Sequence, residues 1–223
     1  MSTSFLATLA TVIIMSNGSN FFFVSEGVVA WLPVIHEVRD DMGLSAAKYS
    51  DALLLSLIHR ESFPLGDASS HTEGTSYYGL LQMSDAYVQD ACEYLGKEPV
   101  PARQVNGKPA LQFALFFAYN ERYKRYHGYY RPSYVALMHK AGVGSMAKDD
   151  LHASGHSARG LATEHLQDDI PEVEDYVNSW SKLLEVYATW IDNQNTKVGV
   201  CSAQYQGPYH TSWHGAGRTR YDS

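Results

Sequence analysis

The chain is poor in the features that usually declare a class. Across 223 residues there are two cysteines, Cys92 and Cys201, far apart in sequence. Two such residues cannot form the disulfide framework of a small secreted domain, and two free buried thiols are the expectation. The first 35 residues hold no Lys or Arg. A secretory signal needs a positive stretch before its apolar core, so this segment does not read as one. Its apolar stretches, Phe5 to Met15 and Phe21 to Trp31, are split by Ser16-Asn-Gly-Ser-Asn20. That leaves no run of about 18 apolar residues for a membrane span. There is no basic cluster either, and the net charge of −7 argues against a general nucleic-acid binder. Strand-like alternation of any length and internal repeats are also missing.

What remains is the composition of an ordinary globular chain, long enough for one domain with a proper core. The apolar N-terminal segment, residues 1–44, is expected to pack on that domain as buried helices or strands. The alternative is an amphipathic arm that touches a membrane or a partner. Glu26 to Asp41 reads as a helix closed by Gly43. Leu53, Leu54, Leu57 and Ile58 fall on one stripe, which predicts a packed helix from about Ala46 to Arg60 with Ser45 as its N-cap. Pro64 should stop it near Phe63. Gly79 to Leu95 reads as helical up to Gly96. Pro109 opens a further helix to about His127, with Leu111, Ala114, Leu115 and Ala118 inward. Pro132 opens the next, ending at Gly142-Val-Gly144, and Ala158 to Gln167 and Pro171 to about Ile191 follow. Residues 193–223 lack periodicity and read as a Gly-, Tyr- and His-rich tail, disordered or wrapped over the domain and partly covering its cleft. The fold class is therefore mostly α, with little or no sheet.

Glu61 is the residue that carries chemistry. It lies in the last turn of an apolar helix, where the negative end of the macrodipole and burial both disfavour an ionised carboxyl. A general acid needs that environment, whereas an ordinary glutamate is poorly placed at a helix C-terminus. The structural alternative is an ion pair with Arg60 or Arg39.

Three blocks in order then resemble a known family. Glu61-Ser62, Gly79-Leu-Leu-Gln82 and Ala141-Gly-Val-Gly144 are similar to the Glu-Ser, Gly-Leu-Met-Gln and Ala-Tyr-Asn-Ala-Gly motifs of lytic transglycosylases and goose-type lysozymes. A fourth, Ile170-Pro-Glu-Val-Glu-Asp-Tyr-Val177, resembles their closing segment. The likeness runs from about Ser45 to Tyr187, and residues 45–192 become the expected lysozyme-like catalytic domain. His139-Lys140 stand where the family has Tyr-Asn, and Val173 where it has Thr. Short divergent versions resemble enzymes that bacterial viruses carry to open the host wall. This implies a virion-associated or periplasmic location, glycan strands of peptidoglycan as partner, and virion proteins as further partners.

The implied chemistry is cleavage of the MurNAc–GlcNAc bond without a metal or other cofactor. Glu61 protonates the leaving oxygen and then helps the muramoyl C6 hydroxyl attack C1, giving a 1,6-anhydro product. In the hydrolytic alternative, loop and first-turn acids orient a water, and Glu73 is the candidate, with Asp85 behind it. Ser62 and Gln82 are expected to contact N-acetyl groups and hold Glu61. Gly79 is expected to let the loop approach the catalytic helix closely. Tyr78, His139 and Lys140 are expected to face substrate, while Tyr77 and Tyr119 suit either groove or core. His152, His156 and His165 raise a zinc endopeptidase as a rival, but Ser154-Gly155 breaks the helical spacing and no protease signature accompanies them. A second rival is a non-catalytic virion or wall-binding protein.

Overall fold

Two helices with no polar face organise the structure. The computed structural model describes residues 15–17, 20–62, 66–71, 73–126, 130–144 and 171–198. Helix α3, Asp51–Ser62, is buried without interruption from Ala52 to His59. Helix α5, Pro109–Arg122, is buried continuously from Leu115 to Glu121. A helix buried on nearly every side belongs inside a protein, and the other elements wrap these two. Around them stand α1 (Glu26–Val29), α2 (Leu32–Asp41), α4 (Asp85–Tyr94), α6 (Pro132–Ala141) and α7 (Pro171–Val198). Helix α7 packs on α3 and α6, α4 and α2 pack on α5, and α1 and α2 touch α3. Among the described residues the only strands are β1 (Met15–Asn17) and β2 (Asn20–Phe22), a short antiparallel hairpin with Met15 opposite Phe22. The mostly α expectation holds.

From Phe22 onward the N-terminal segment contributes side chains to the core, while residues 1–14 of it lie outside the described residues. Phe22, Val24, Val28, Ile35 and Val38 all enter the core. Lys182 of α7 sits 5.5 Å over the Phe22 ring. No helix among the described residues is long and apolar enough to cross a membrane.

Several boundaries differ from the sequence reading, each for a local reason. The expected helix over Glu26 to Asp41 is two, broken at Ala30 and Trp31, with Pro33 in the first turn of the second. Gly43 closes α2 as anticipated, at φ 65°, with Leu44 N–H donating to the Arg39 carbonyl. Helix α3 starts at Asp51, not near Ala46. Ser50 is its effective cap, its hydroxyl accepting from Leu53 N–H at 3.2 Å, while Ser45 only accepts through its carbonyl in the preceding turn. The helix ends before Pro64, as proline requires. Residues 79–84 are a tight turn and not helix, because Ser84 caps α4 by accepting from Tyr87 N–H. Helix α5 ends at Arg122, five residues before the expected His127, and Leu111 and Ala114 are only half-buried while Phe113, Phe116 and Phe117 fill the core. Helix α7 runs on to Val198, so the stretch from Asn193 to Val198 is helix and not tail. The expected helix at 158–167 and the rest of the tail lie outside the described residues.

Cys92 is a buried free thiol, and Cys201 lies outside the described residues. One buried titratable group fixes how stability should respond to acid. His59 Nδ1 meets the Tyr187 hydroxyl at 2.8 Å, and that hydroxyl accepts from Ser25 N–H at 3.3 Å. Burial pulls the His59 pKa down from 6.5 to about 4. The unfolded chain therefore binds this proton at a higher pH than the folded one. The contribution is complete above pH 6.5 and is lost as pH falls towards 4. Over that window the wild type should lose on the order of 3 kcal/mol more stability than His59→Gln. Denaturant melts at several pH values check this, and parallel curves for the two proteins would contradict it.

Candidate functional site

Glu61 sits in the last turn of α3 and is half-buried. Its neighbours come from far along the chain. From α7, Tyr176 reaches the end of α3 and is almost wholly buried. Burial pushes its phenol pKa well up, and the adjacent Glu61 carboxylate adds to the effect while Arg60 opposes it. The Tyr176 hydroxyl is therefore a fixed donor. It has no partner of hydrogen-bond geometry, although the Glu61 carboxylate is close enough to act on it.

From α6, His139 approaches the same carboxylate. Burial lowers its pKa, Glu61 and the Leu81 carbonyl act the other way, and Lys140 reinforces the drop. The ring is held edge-on to Tyr87 at 5.6 Å and tilted against Phe116 at 5.9 Å. Its Nδ1 is buried without a hydrogen-bond partner. Two cations flank the Tyr176 ring. Arg60 Cζ lies 5.0 Å from its centroid, with Nε donating to Ser179 Oγ at 2.9 Å, and Lys140 Nζ lies at 5.5 Å. Glu61 forms no ion pair within 4.0 Å among the described residues. Arg39, one partner considered for it, is engaged by Asp51 and the Tyr49 carbonyl.

The turn that carries Leu81 is anchored from α5. Gln112 is fully buried, accepts from Leu80 N–H at 2.7 Å, and donates to the carbonyls of Ala68 and Val105 at 3.0 and 2.8 Å. Gly79 has φ 83°, and a Cβ there would overlap the Gln112 side chain. The close approach made possible by glycine is thus to Gln112 on α5 and not, as expected, to the helix of Glu61. Tyr78 pairs through its backbone with Met83, and its ring stacks on His71 at 4.4 Å. Gln82 holds the left-handed conformation at φ 44°, stabilised by its own amide donating to the Ser70 and Gly79 carbonyls. Such backbone costs about 1 kcal/mol for a non-glycine residue.

The remaining candidates are placed as follows. Ser62 is buried and its hydroxyl donates back to the Ile58 carbonyl at 2.9 Å. Glu73 is exposed in a turn beside Gly74, and no described contact joins it to Glu61. Asp85 accepts from Ala102 N–H at 2.6 Å, which is the first-turn structural role. Tyr119 is core, stacked on Tyr87 at 3.8 Å, and Tyr77 is exposed. The structure therefore brings Glu61, Leu81, His139, Lys140 and Tyr176 together, and no described contact joins Glu73 to them. Reasoning from sequence did not single out Arg60 as a flanking cation, nor Gln112, Tyr87 and Tyr176. Tyr176 was visible only as part of the fourth motif, and Gln112 had one signal, an amide inside the apolar stretch from Ala110 to Tyr119. His152, His156 and His165 lie outside the described residues, and no metal-holding cluster occurs among the described ones.

Chemically, the cluster offers a half-buried carboxyl with no countercharge bonded to it, a neutral imidazole, a phenol donor and two cations. The chain matches no protein-family model and no curated protein.

Proposed function

We propose that the protein is a peptidoglycan-degrading enzyme of lysozyme-like fold that cleaves the MurNAc–GlcNAc bond, with Glu61 as general acid and then base. The observation that carries this reading is the convergence on Glu61 of segments separated by up to about a hundred residues. Those segments are the turn of Leu81, the His139-Lys140 pair and Tyr176. They are also the blocks whose order in the chain resembles lytic transglycosylases.

Protonating a glycosidic oxygen at neutral pH requires a carboxyl shielded from water and free of a bonded countercharge. Glu61 is half-buried and forms no ion pair within 4.0 Å among the described residues. Most glycosidases place a second carboxylate across the bond, at a spacing that sets the stereochemical outcome. Glu73 is exposed in a turn with no described contact to the cluster, and Asp85 is bonded to the backbone of Ala102. A single-carboxylate mechanism, in which the substrate's own C6 hydroxyl completes the displacement, therefore fits better than hydrolysis. Arg60 and Lys140 beside Tyr176 suit the acidic lactyl group of muramic acid. In biological terms this is a wall-opening enzyme, placed in a virion or in the host periplasm.

Digestion of purified sacculi tests the reading. The expected products are 1,6-anhydro muropeptides, formed equally well after exhaustive chelation. Reducing ends would indicate hydrolysis, and new amino groups with zinc dependence would favour an endopeptidase. Intact sacculi bound without turnover would favour a wall-binding protein.

A further inference from the structure

Helix α6 carries His139 and Lys140 in its last turn and breaks at Gly142, whose φ is 76°. Val143 and Gly144 are already helical again. The first N–H of a helical stretch has no partner within it. Val143 N–H finds one on another helix, donating to the Tyr119 hydroxyl of α5 at 3.1 Å. Tyr119 is buried, its ring stacked on Tyr87 of α4 at 3.8 Å, with Tyr123 edge-on to it at 5.1 Å. Tyr87 in turn stands edge-on to the His139 ring at 5.6 Å, and its hydroxyl accepts from the Asn120 amide at 3.4 Å. One tyrosine thus reaches the last turn of α6 twice, by its hydroxyl through Val143 and by its ring through Tyr87.

We infer that Tyr119 is a positioning residue for the Glu61 cluster, its hydroxyl and ring together fixing His139 and Lys140 against the carboxyl. What the cluster is positioned for rests on the glycosidase reading; the grip itself does not. No described contact joins Tyr119 to Glu61, so it acts only through α6 and Tyr87. Burial pushes its phenol pKa up to about 12, and the hydroxyl stays protonated at any working pH. The grip is therefore constant while the groups it holds titrate. Without the hydroxyl, Val143 N–H loses its acceptor and the last turn of α6 is free to fray. The His139 ring then gains water. Its surroundings are Glu61, Lys140, the Leu81 backbone, Tyr87 and Phe116, and burial among them holds its pKa below 6.5. Hydration returns a buried imidazole towards its ordinary value. Displacing a group in a reactive cluster by about 1 Å can cost roughly 100-fold in rate.

The test compares Tyr119→Phe with Tyr187→Phe in the full chain. Each deletes a buried phenol hydroxyl that accepts a backbone N–H, from Val143 in one case and Ser25 in the other. Both should melt about 2–6 °C lower, so stability alone does not separate a positioning role from a structural one. Only Tyr119→Phe should raise the midpoint of the His139 ring titration towards 6.5, followed by NMR with His139→Gln identifying its signals. The Val143 amide should also exchange at least about 10-fold faster in that variant. On sacculi, Tyr119→Phe should lower kcat about 10-fold or more with KM within about 3-fold, while Tyr187→Phe keeps the wild-type rate. Val143→Pro removes the donor instead of the acceptor, at a first helical position where proline is tolerated, and should reproduce the His139 shift. An unmoved His139 titration in both Tyr119→Phe and Val143→Pro would overturn the inference, and so would a displaced ring with undiminished kcat. If the ring moves as stated while the wild type leaves sacculi intact, the grip on the cluster stands and the glycosidase reading fails.

Discussion

Glu61→Gln should abolish wall lysis and leave the protein folded. The amide keeps the shape of the carboxyl and removes only its transferable proton. Loss of a general acid typically lowers the rate about 100-fold or more. Because Glu61 makes no ion pair within 4.0 Å among the described residues, the substitution removes no salt bridge there, and the melting temperature should be unchanged. The measurement is turbidity loss of purified sacculi alongside thermal melting. A variant that melts like wild type and still lyses at a comparable rate would remove Glu61 from the chemistry. A variant that melts much earlier would show a structural glutamate instead.

The largest effect on stability is expected from Gln112→Leu. The side chain is fully buried and its three hydrogen bonds all go to backbone groups, Leu80 N–H and the carbonyls of Ala68 and Val105. Leucine has similar bulk but satisfies none of them. Each buried group left unpaired costs roughly 1–3 kcal/mol, so a total of about 3–5 kcal/mol is reasonable. For a chain of this size that corresponds to a fall of roughly 10 °C or more in melting temperature. Lysis should fall too, because the turn that brings Leu81 to His139 loses its anchor. An unchanged melting temperature would mean that the turn is held by its own bonds, such as those between Tyr78 and Met83.

How much of this was legible in the sequence depends on the range of the interaction concerned. Helix C-termini set by Gly43 and Gly96 were readable, because a left-handed residue closes a helix through its own backbone. N-termini were not. Ser45, Ser50 and Ser84 are equally good caps in isolation, and tertiary packing decided that Ser50 and Ser84 would serve. The turn at Gly79-Leu-Leu-Gln82 was misread as helix because its apolar residues are spaced as a helix would space them. What holds it is an amide on another helix, 32 residues away. Glu61 stood out because a carboxylate at a buried helix C-terminus conflicts with local preference. Its neighbours His139 and Tyr176 conflict with nothing locally, so only the motif resemblance pointed to them. Gly79 was read as permitting a close approach, correctly, but the residue approached could not be read from the sequence.

Helix α7 bears on the order of events during synthesis. Helix α7 spans 28 residues, roughly 42 Å, and lays Tyr176, Trp180, Leu183, Val186 and Tyr187 along one face against α3. Until it emerges, the apolar surface of α3 has no cover on that side and His59 has no hydroxyl to meet. Tyr176 is likewise absent from the carboxyl it flanks. A nascent chain ending before Pro171 is thus an incomplete hydrophobic core, and the contacts that complete it close loops of more than a hundred residues, which makes the final step slow. The chain can bring Tyr176 to Glu61 only after the segment Pro171–Val198 has been made. A ribosome stalled short of that point would carry a polypeptide with one apolar side of α3 bare and prone to stick.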